Sequence, residues 1–136
     1  MTDCSFQLES TYSDLPPVLF SQLSPTPVSQ PKLVIFNEKL AEEIGLNLSG
    51  MSMKDRTGLF AGNLVPEGTE PFAQAYAGHQ FGNFTVLGDG RAIVLGEHLT
   101  SSGKRIDLQL KGSGRTPYSR GGDGRAALGP MLREYI

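Results

Sequence analysis

The chain has 136 residues, 38% of them apolar and 19% charged, which suits one modest globular domain with its own core and argues against a disordered tail. No stretch approaches the roughly 18 consecutive apolar residues of a membrane helix, and residues 1–10 have no basic start leading into an apolar run, so neither a membrane partner nor a secretory leader is expected. A single cysteine, Cys4, excludes an internal disulfide and a cysteine-built metal site, and it predicts a reducing, cytoplasmic setting.

The formal net charge of -2 hides an asymmetry. Residues 1–90 hold ten acids and four bases, whereas residues 91–136 hold eight bases and four acids. A cationic second segment points to an anionic partner such as phosphate. Glycine is also enriched, at 17 of 136 residues, and much of it lies among those late bases.

Residues 1–31 read as an extended arm, because Pro16, Pro17, Pro25 and Pro27 break helices. The arm carries Phe6, Tyr12, Leu15, Val18, Leu19 and Phe20, too many apolar groups for a free tail, so it should pack across a core built elsewhere. Residues 33–36 form a compact β-prone run. Asn37 is a fair N-cap for a helix over 38–44, with Leu40, Ala41 and Ile44 on one face and Gly45 as its stop. Residues 47–71 read as loop, punctuated by Gly58, Gly62, Pro66, Gly68 and Pro71. Residues 72–77 read as a short helix that Gly78 ends.

From Gln80 the pattern turns to β. Residues 84–87, 92–95 and 105–111 predict a three-stranded antiparallel meander over 84–111, with Gly88-Asp89-Gly90 as a hairpin turn. In the last strand Ile106, Leu108 and Leu110 share one face and Asp107, Gln109 and Lys111 the other. Residues 112–124 form a glycine-rich loop with Arg115 and Arg120. A helix should follow from 125–128 or from Pro130, where proline suits a first turn. The chain ends at Ile136 in an apolar, helix-like run with no stop signal, which predicts a piece of a longer protein.

Three features can carry chemistry. Lys111 ends a strand on its polar face, and Glu134 lies in the helix after the loop; a strand lysine held by a helix glutamate orients nucleotide phosphate in kinase-like folds. On spacing alone, a surface lysine and a solvated glutamate read the same way and are commoner. Gly88 and Gly90 allow backbone N–H groups to approach phosphate, and Arg91 can add a bidentate contact; an ordinary tight hairpin fits equally. The 112–124 loop, with Asp123-Gly124 at the entry to a helix, is either a ligand loop or a flexible surface loop. There is no G-x-x-x-x-G-K-[ST] and no G-x-G-x-x-G. His79 and His98 lack metal-ligand spacing.

Longer strings add a resemblance. Residues 71–82 (PFAQAYAGHQFG), 87–92 (LGDGRA), 107–120 (DLQLKGSGRTPYSR), 122–126 (GDGRA) and 128–136 (LGPMLREYI) resemble the selenoprotein O (YdiU) family, as do 20–21 and 25–28 upstream. Ser113 stands where that pattern has alanine, and residues 47–60 match least. The resemblance implies an α+β chain that forms the N-terminal part of a protein-kinase-like fold, with 1–70 an arm and short helix packing on a lobe at 71–136 and the C-lobe missing. It implies transfer of AMP from ATP to Ser, Thr or Tyr hydroxyls of proteins, with Mg²⁺ or Mn²⁺. By position, Gly88, Gly90, Arg91, Lys111, Asp123 and Gly124 would bind the nucleotide, and Glu134 would hold Lys111. The base aspartate and the metal ligands would lie downstream, so residues 1–136 alone should transfer nothing. A kinase moving the γ-phosphate would use the same lysine–glutamate pair. A non-catalytic module docking nucleic acid is a third reading, but Tyr118 is the only aromatic of the basic segment before Tyr135, so a stacking platform and a nucleic-acid partner are not expected.

Overall fold

The computed structural model describes residues 7–80 and 82–136. Its class is α+β with antiparallel sheets, as expected. The elements are β1 (Phe20–Gln22), α1 (Glu38–Ile44), α2 (Met53–Ala61), β2 (Phe72–Gln74), β3 (Ala77–Gln80), β4 (Asn83–Val86), β5 (Ala92–Leu99), β6 (Arg105–Lys111) and α3 (Leu128–Tyr135). A four-stranded sheet runs in the order β1-β2-β5-β6, and β3 and β4 pair separately.

The expected meander is therefore corrected. β5 and β6 pair as predicted, with Ala92 opposite Lys111 and Leu99 opposite Arg105. The strand near 84–87 instead turns back on β3, with His79 opposite Phe84. The Gly88-Asp89-Gly90 turn is thus no hairpin; it carries the chain from one sheet to the other. Residues 72–77, expected as helix, are mostly strand. Phe72 and Ala73 are buried, and β2 is sandwiched between β1 and β5. Residues 33–36 form no strand. Val34 and Ile35 are 64% and 48% exposed, because no sheet edge lies beside them and β propensity needs a packed neighbour.

Both helices of the first half have legible caps. The Asn37 side chain accepts the Leu40 N–H, and Gly45 ends α1 in the left-handed conformation. The expected apolar face is narrower than its sequence suggests: Ala41 is buried and Ile44 half-buried, but Leu40 is 48% exposed. α2 lies in the segment read as loop. The Ser52 hydroxyl accepts the Asp55 N–H at 3.1 Å and Gly62 closes the other end, a complete cap signature that the internal Gly58 obscured.

One core lies between these helices and the sheet, where Ala41, Leu46, Leu48, Met51 and Leu59 meet Leu95 and Leu110. Phe36 packs on Phe60 beside it, ring centroids 5.3 Å apart. Of the arm's apolar groups expected to pack, Tyr12 and Phe20 do, Leu15, Val18 and Leu19 are exposed, and Phe6 lies outside the described residues; the arm also supplies β1 to the sheet. Tyr12 stacks on Phe72 at 5.0 Å, and Phe20 meets the same ring edge-on at 5.8 Å.

Further along the arm, Glu9 exchanges two backbone hydrogen bonds with Glu97, and the Thr11 N–H and hydroxyl both donate to the Glu97 carboxylate at 2.6 and 2.8 Å. Arg105 pairs with Glu9 and approaches Glu97 at 3.7 Å. Burial pushes the Glu97 carboxyl up, but the two Thr11 bonds and the Arg105 charge outweigh it and hold the group below the usual carboxylate range. A carboxyl lowered in the folded state stabilises above its unfolded value and loses that contribution as pH falls through the folded one. The arm should therefore loosen below pH 4.5, the ordinary glutamate value. Hydrogen exchange at the Glu9 and Thr11 amides should show an acid step that Glu97→Gln removes. An unchanged step in the variant would exclude Glu97 as its source.

Candidate nucleotide-binding site

The turn after β4 is built from backbone bonds to the end of β2 and the residues just after it. The N–H groups of Leu87 and Gly88 donate to the Tyr76 carbonyl at 3.2 and 3.0 Å, and the Asp89 N–H donates to the Gln74 carbonyl at 2.8 Å. In return the Gln74 N–H donates to the Asp89 carboxylate at 3.0 Å. Asp89 is only 6% exposed, so this acid braces the turn rather than facing solvent. Burial, reinforced by the Asp89 charge, raises the Tyr76 phenol above its usual value. Gly88 takes φ +63°, and a Cβ there would sit 2.7 Å from the Tyr118 ring and 2.8 Å from the Gln74 carbonyl. A larger residue is excluded on both counts.

The glycine-rich loop closes over this turn. The Thr116 hydroxyl donates to the Asp89 carbonyl at 2.5 Å, and the Ser119 hydroxyl donates to the Gly90 carbonyl. The Tyr118 phenol meets the Ser21 hydroxyl of β1 at 2.9 Å, and an Arg125 guanidinium N–H donates to the Thr26 carbonyl of the arm at 3.1 Å. The Asp123 carboxylate accepts the Arg125 N–H at 2.9 Å, and the Gly114 N–H donates to the Gly124 carbonyl at 3.2 Å. The loop is an organised strap, not a free surface segment. Ser113 is buried in it, and its hydroxyl finds no partner among the described residues, which gives no reason in the fold for the oxygen that distinguishes it from alanine.

Between strap, turn and the end of β6 lies a cleft of about 440 Å³. Gly88, Gly90, Arg91, Lys111, Asp123 and Gly124 all line it. These are the six residues expected to bind nucleotide, drawn from three separate stretches of sequence. Arg120 and Arg125 line it as well, so four cations face one carboxylate. Such a lining attracts a polyanion. Arg91 forms no ion pair among the described residues. Lys111 Nζ lies 2.5 Å from Glu134 Oε1, so the expected strand–helix pair forms, with Lys111 in the cleft lining and Glu134 behind it. α3 starts at Leu128, with Pro130 in its first turn, and projects Glu134 back over β6.

One candidate of the glycine-rich loop does not reach the cleft. Arg115 is exposed elsewhere on the loop. His98 is buried, with its Nε2 2.8 Å from the Ile44 carbonyl, a structural tie between β5 and α1. Conversely, sequence reasoning missed Tyr76, Leu87 and Ser119 in the lining. Their only sequence signal is proximity to the turn and the loop. A second concavity of about 380 Å³ lies between α1 and α2, but its Arg56 is held by the Leu48 carbonyl at 2.9 Å and faces Glu38 at 3.7 Å. Among the described residues, no group of three or more His, Cys, Asp or Glu is arranged to hold a metal ion. No helix among them is long and apolar enough to cross a membrane.

Comparison with known proteins adds an independent line. The family described as "Protein adenylyltransferase SelO" matches residues 3–136. A protein of Anoxybacillus flavithermus named "Protein nucleotidyltransferase YdiU" is 63% identical over 98% of this chain and 28% of its own length. Proteins of the same name from Clostridium beijerinckii and Geobacillus kaustophilus are 63% and 61% identical, each over 28% of its own length. The chain thus spans little more than a quarter of these relatives.

Proposed function

Since the chain belongs to the protein adenylyltransferase SelO family, we propose that it forms the nucleotide-binding part of an enzyme that moves AMP from ATP to Ser, Thr or Tyr hydroxyls of proteins. The observation that carries this reading is that Lys111, paired with Glu134, lines a cationic cleft together with Gly88 and Gly90 of the turn. In the reaction a protein hydroxyl attacks the α-phosphorus, and pyrophosphate leaves with the bonding pair. Negative charge grows on the phosphate oxygens, and positioned cations stabilise it. Lys111 supplies a point charge and Arg91 a planar fork. Glu134 keeps Lys111 extended towards the cleft instead of folding back into water. Mg²⁺ or Mn²⁺, held by residues outside this segment, would supply further positive charge against the phosphates. Base, metal ligands and hydroxyl-bearing substrate would meet the cleft only in the longer protein, so residues 1–136 alone should transfer nothing.

The same lysine–glutamate geometry serves a kinase, because the difference lies in which phosphate stands before the hydroxyl. Incubating the intact gene product with ATP labelled at the α- or the γ-phosphate separates the two. Covalent label from the α-position alone is expected. Label from the γ-position alone would make the protein a kinase, and label from neither would leave a binding role.

A further inference from the structure

We propose that Thr116 and Ser119 are positioning residues for the nucleotide's phosphates, because their hydroxyls set the orientation of the two peptide planes that carry the Gly90 and Arg91 N–H groups. This rests on the reading of the cleft as a nucleotide site.

Consider the peptide between Asp89 and Gly90. A trans peptide is planar, with its C=O and N–H pointing in opposite directions. Thr116 holds the Asp89 carbonyl, so the Gly90 N–H is directed away from the strap. The next peptide is held likewise: Ser119 binds the Gly90 carbonyl and the Arg91 N–H is directed away. Both residues line the cleft, and neither N–H has an acceptor among the described residues. Two adjacent amide donors beside Arg91 and Lys111 form a concavity suited to phosphate oxygen.

The proton positions on the two hydroxyls follow from chemistry. The Thr116 oxygen accepts the Tyr118 N–H at 3.1 Å, and the Ser119 oxygen accepts the Thr116 N–H at 2.9 Å. An amide N–H only donates and a carbonyl only accepts, so each hydroxyl must give its own proton to the turn. Each residue therefore ties the strap to the turn in one direction only. Without this tie a turn flanked by Gly88 and Gly90 is free to flip a peptide, since glycine occupies either sign of φ. A flipped plane would present a carbonyl where a donor is needed and would repel phosphate. No charged residue is involved, which is why charge patterning in the sequence passes over both positions.

The test uses the intact gene product, with Thr116→Val and Ser119→Ala to remove each hydroxyl and Thr116→Ser to retain one. Affinities for ATP and for inorganic triphosphate are measured alongside the thermal midpoint. Each hydroxyl removal should weaken ATP about tenfold and triphosphate by the same factor, the effect of losing one hydrogen bond to a charged group. Thr116→Ser should bind within about twofold of the parent, showing that the hydroxyl rather than the side-chain shape is responsible. Equal weakening of both probes without a matching fall in midpoint supports phosphate positioning. Unchanged ATP affinity in Thr116→Val and Ser119→Ala would overturn the proposal, as would weaker ATP with unchanged triphosphate. Should the unaltered protein bind neither probe, the nucleotide reading itself fails and takes this inference with it. If it binds both and the variants match it, only the positioning role falls.

Discussion

Replacing Lys111 with alanine should lower nucleotidyl transfer by the intact protein about 100- to 1,000-fold while leaving the fold intact. The size follows from removing one preorganised charge from a site where charge develops on phosphate. The harmlessness to folding follows from exposure. The Lys111 side chain is 39% exposed and that of Glu134 54%, and an ion pair so open to solvent adds under about 1 kcal/mol to stability. Glu134→Gln should act in the same direction but more weakly, because the lysine charge remains and only its orientation is lost. Steady-state transfer rates and thermal midpoints of the two variants check both statements. Near-normal transfer by Lys111→Ala would remove Lys111 from the mechanism.

Gly124→Ala should have the opposite profile, a large loss of stability with the cleft lost as a consequence. Gly124 adopts φ +73°, where a side chain costs about 1–2 kcal/mol. A Cβ would also overlap the Gly114 carbonyl and sit 2.5 Å from the Arg115 nitrogen. Those atoms are backbone and cannot swing aside as a side chain would. The strap must therefore open where Gly114 and Gly124 are joined. We expect a combined cost of about 3–4 kcal/mol, seen as a fall of about 10 °C in Tm. ATP binding should weaken with it, since Asp123 and Arg125 flank the same point. A melting curve that superimposes on that of the unaltered protein would show that the strap accommodates a methyl group.

Much of the candidate site is legible in the sequence because its residues announce themselves locally. Glycines next to cations, and a lysine at the polar end of an alternating strand, carry their chemistry in their own short segments. The same holds for α1, whose Asn37 cap and Gly45 stop lie within one short run. α2 was missed although Ser52 and Gly62 mark its ends, because Gly58 and the glycines and prolines around it read as loop. β2 and the first residue of β3 fall in the segment 72–77 read as a helix, since it contains alanine and glutamine, which favour helices until a neighbouring strand decides otherwise.

By itself the sequence determined the residue chemistry: a cationic glycine-rich segment, a β5–β6 hairpin with Lys111 at its end, and strings specific enough to identify the family. Only the tertiary structure decided which of these meet. It moved β4 out of the main sheet, brought β1 of the arm into it, and made the 88–91 turn a crossing between sheets. It also tied that turn to a loop 27 residues away through the Thr116 hydroxyl and the Asp89 carbonyl. The physical reason is range. Caps, turns and alternation are set by neighbours in sequence, whereas strand partners and the aim of a peptide plane are set by hydrogen bonds that close only when distant segments pack.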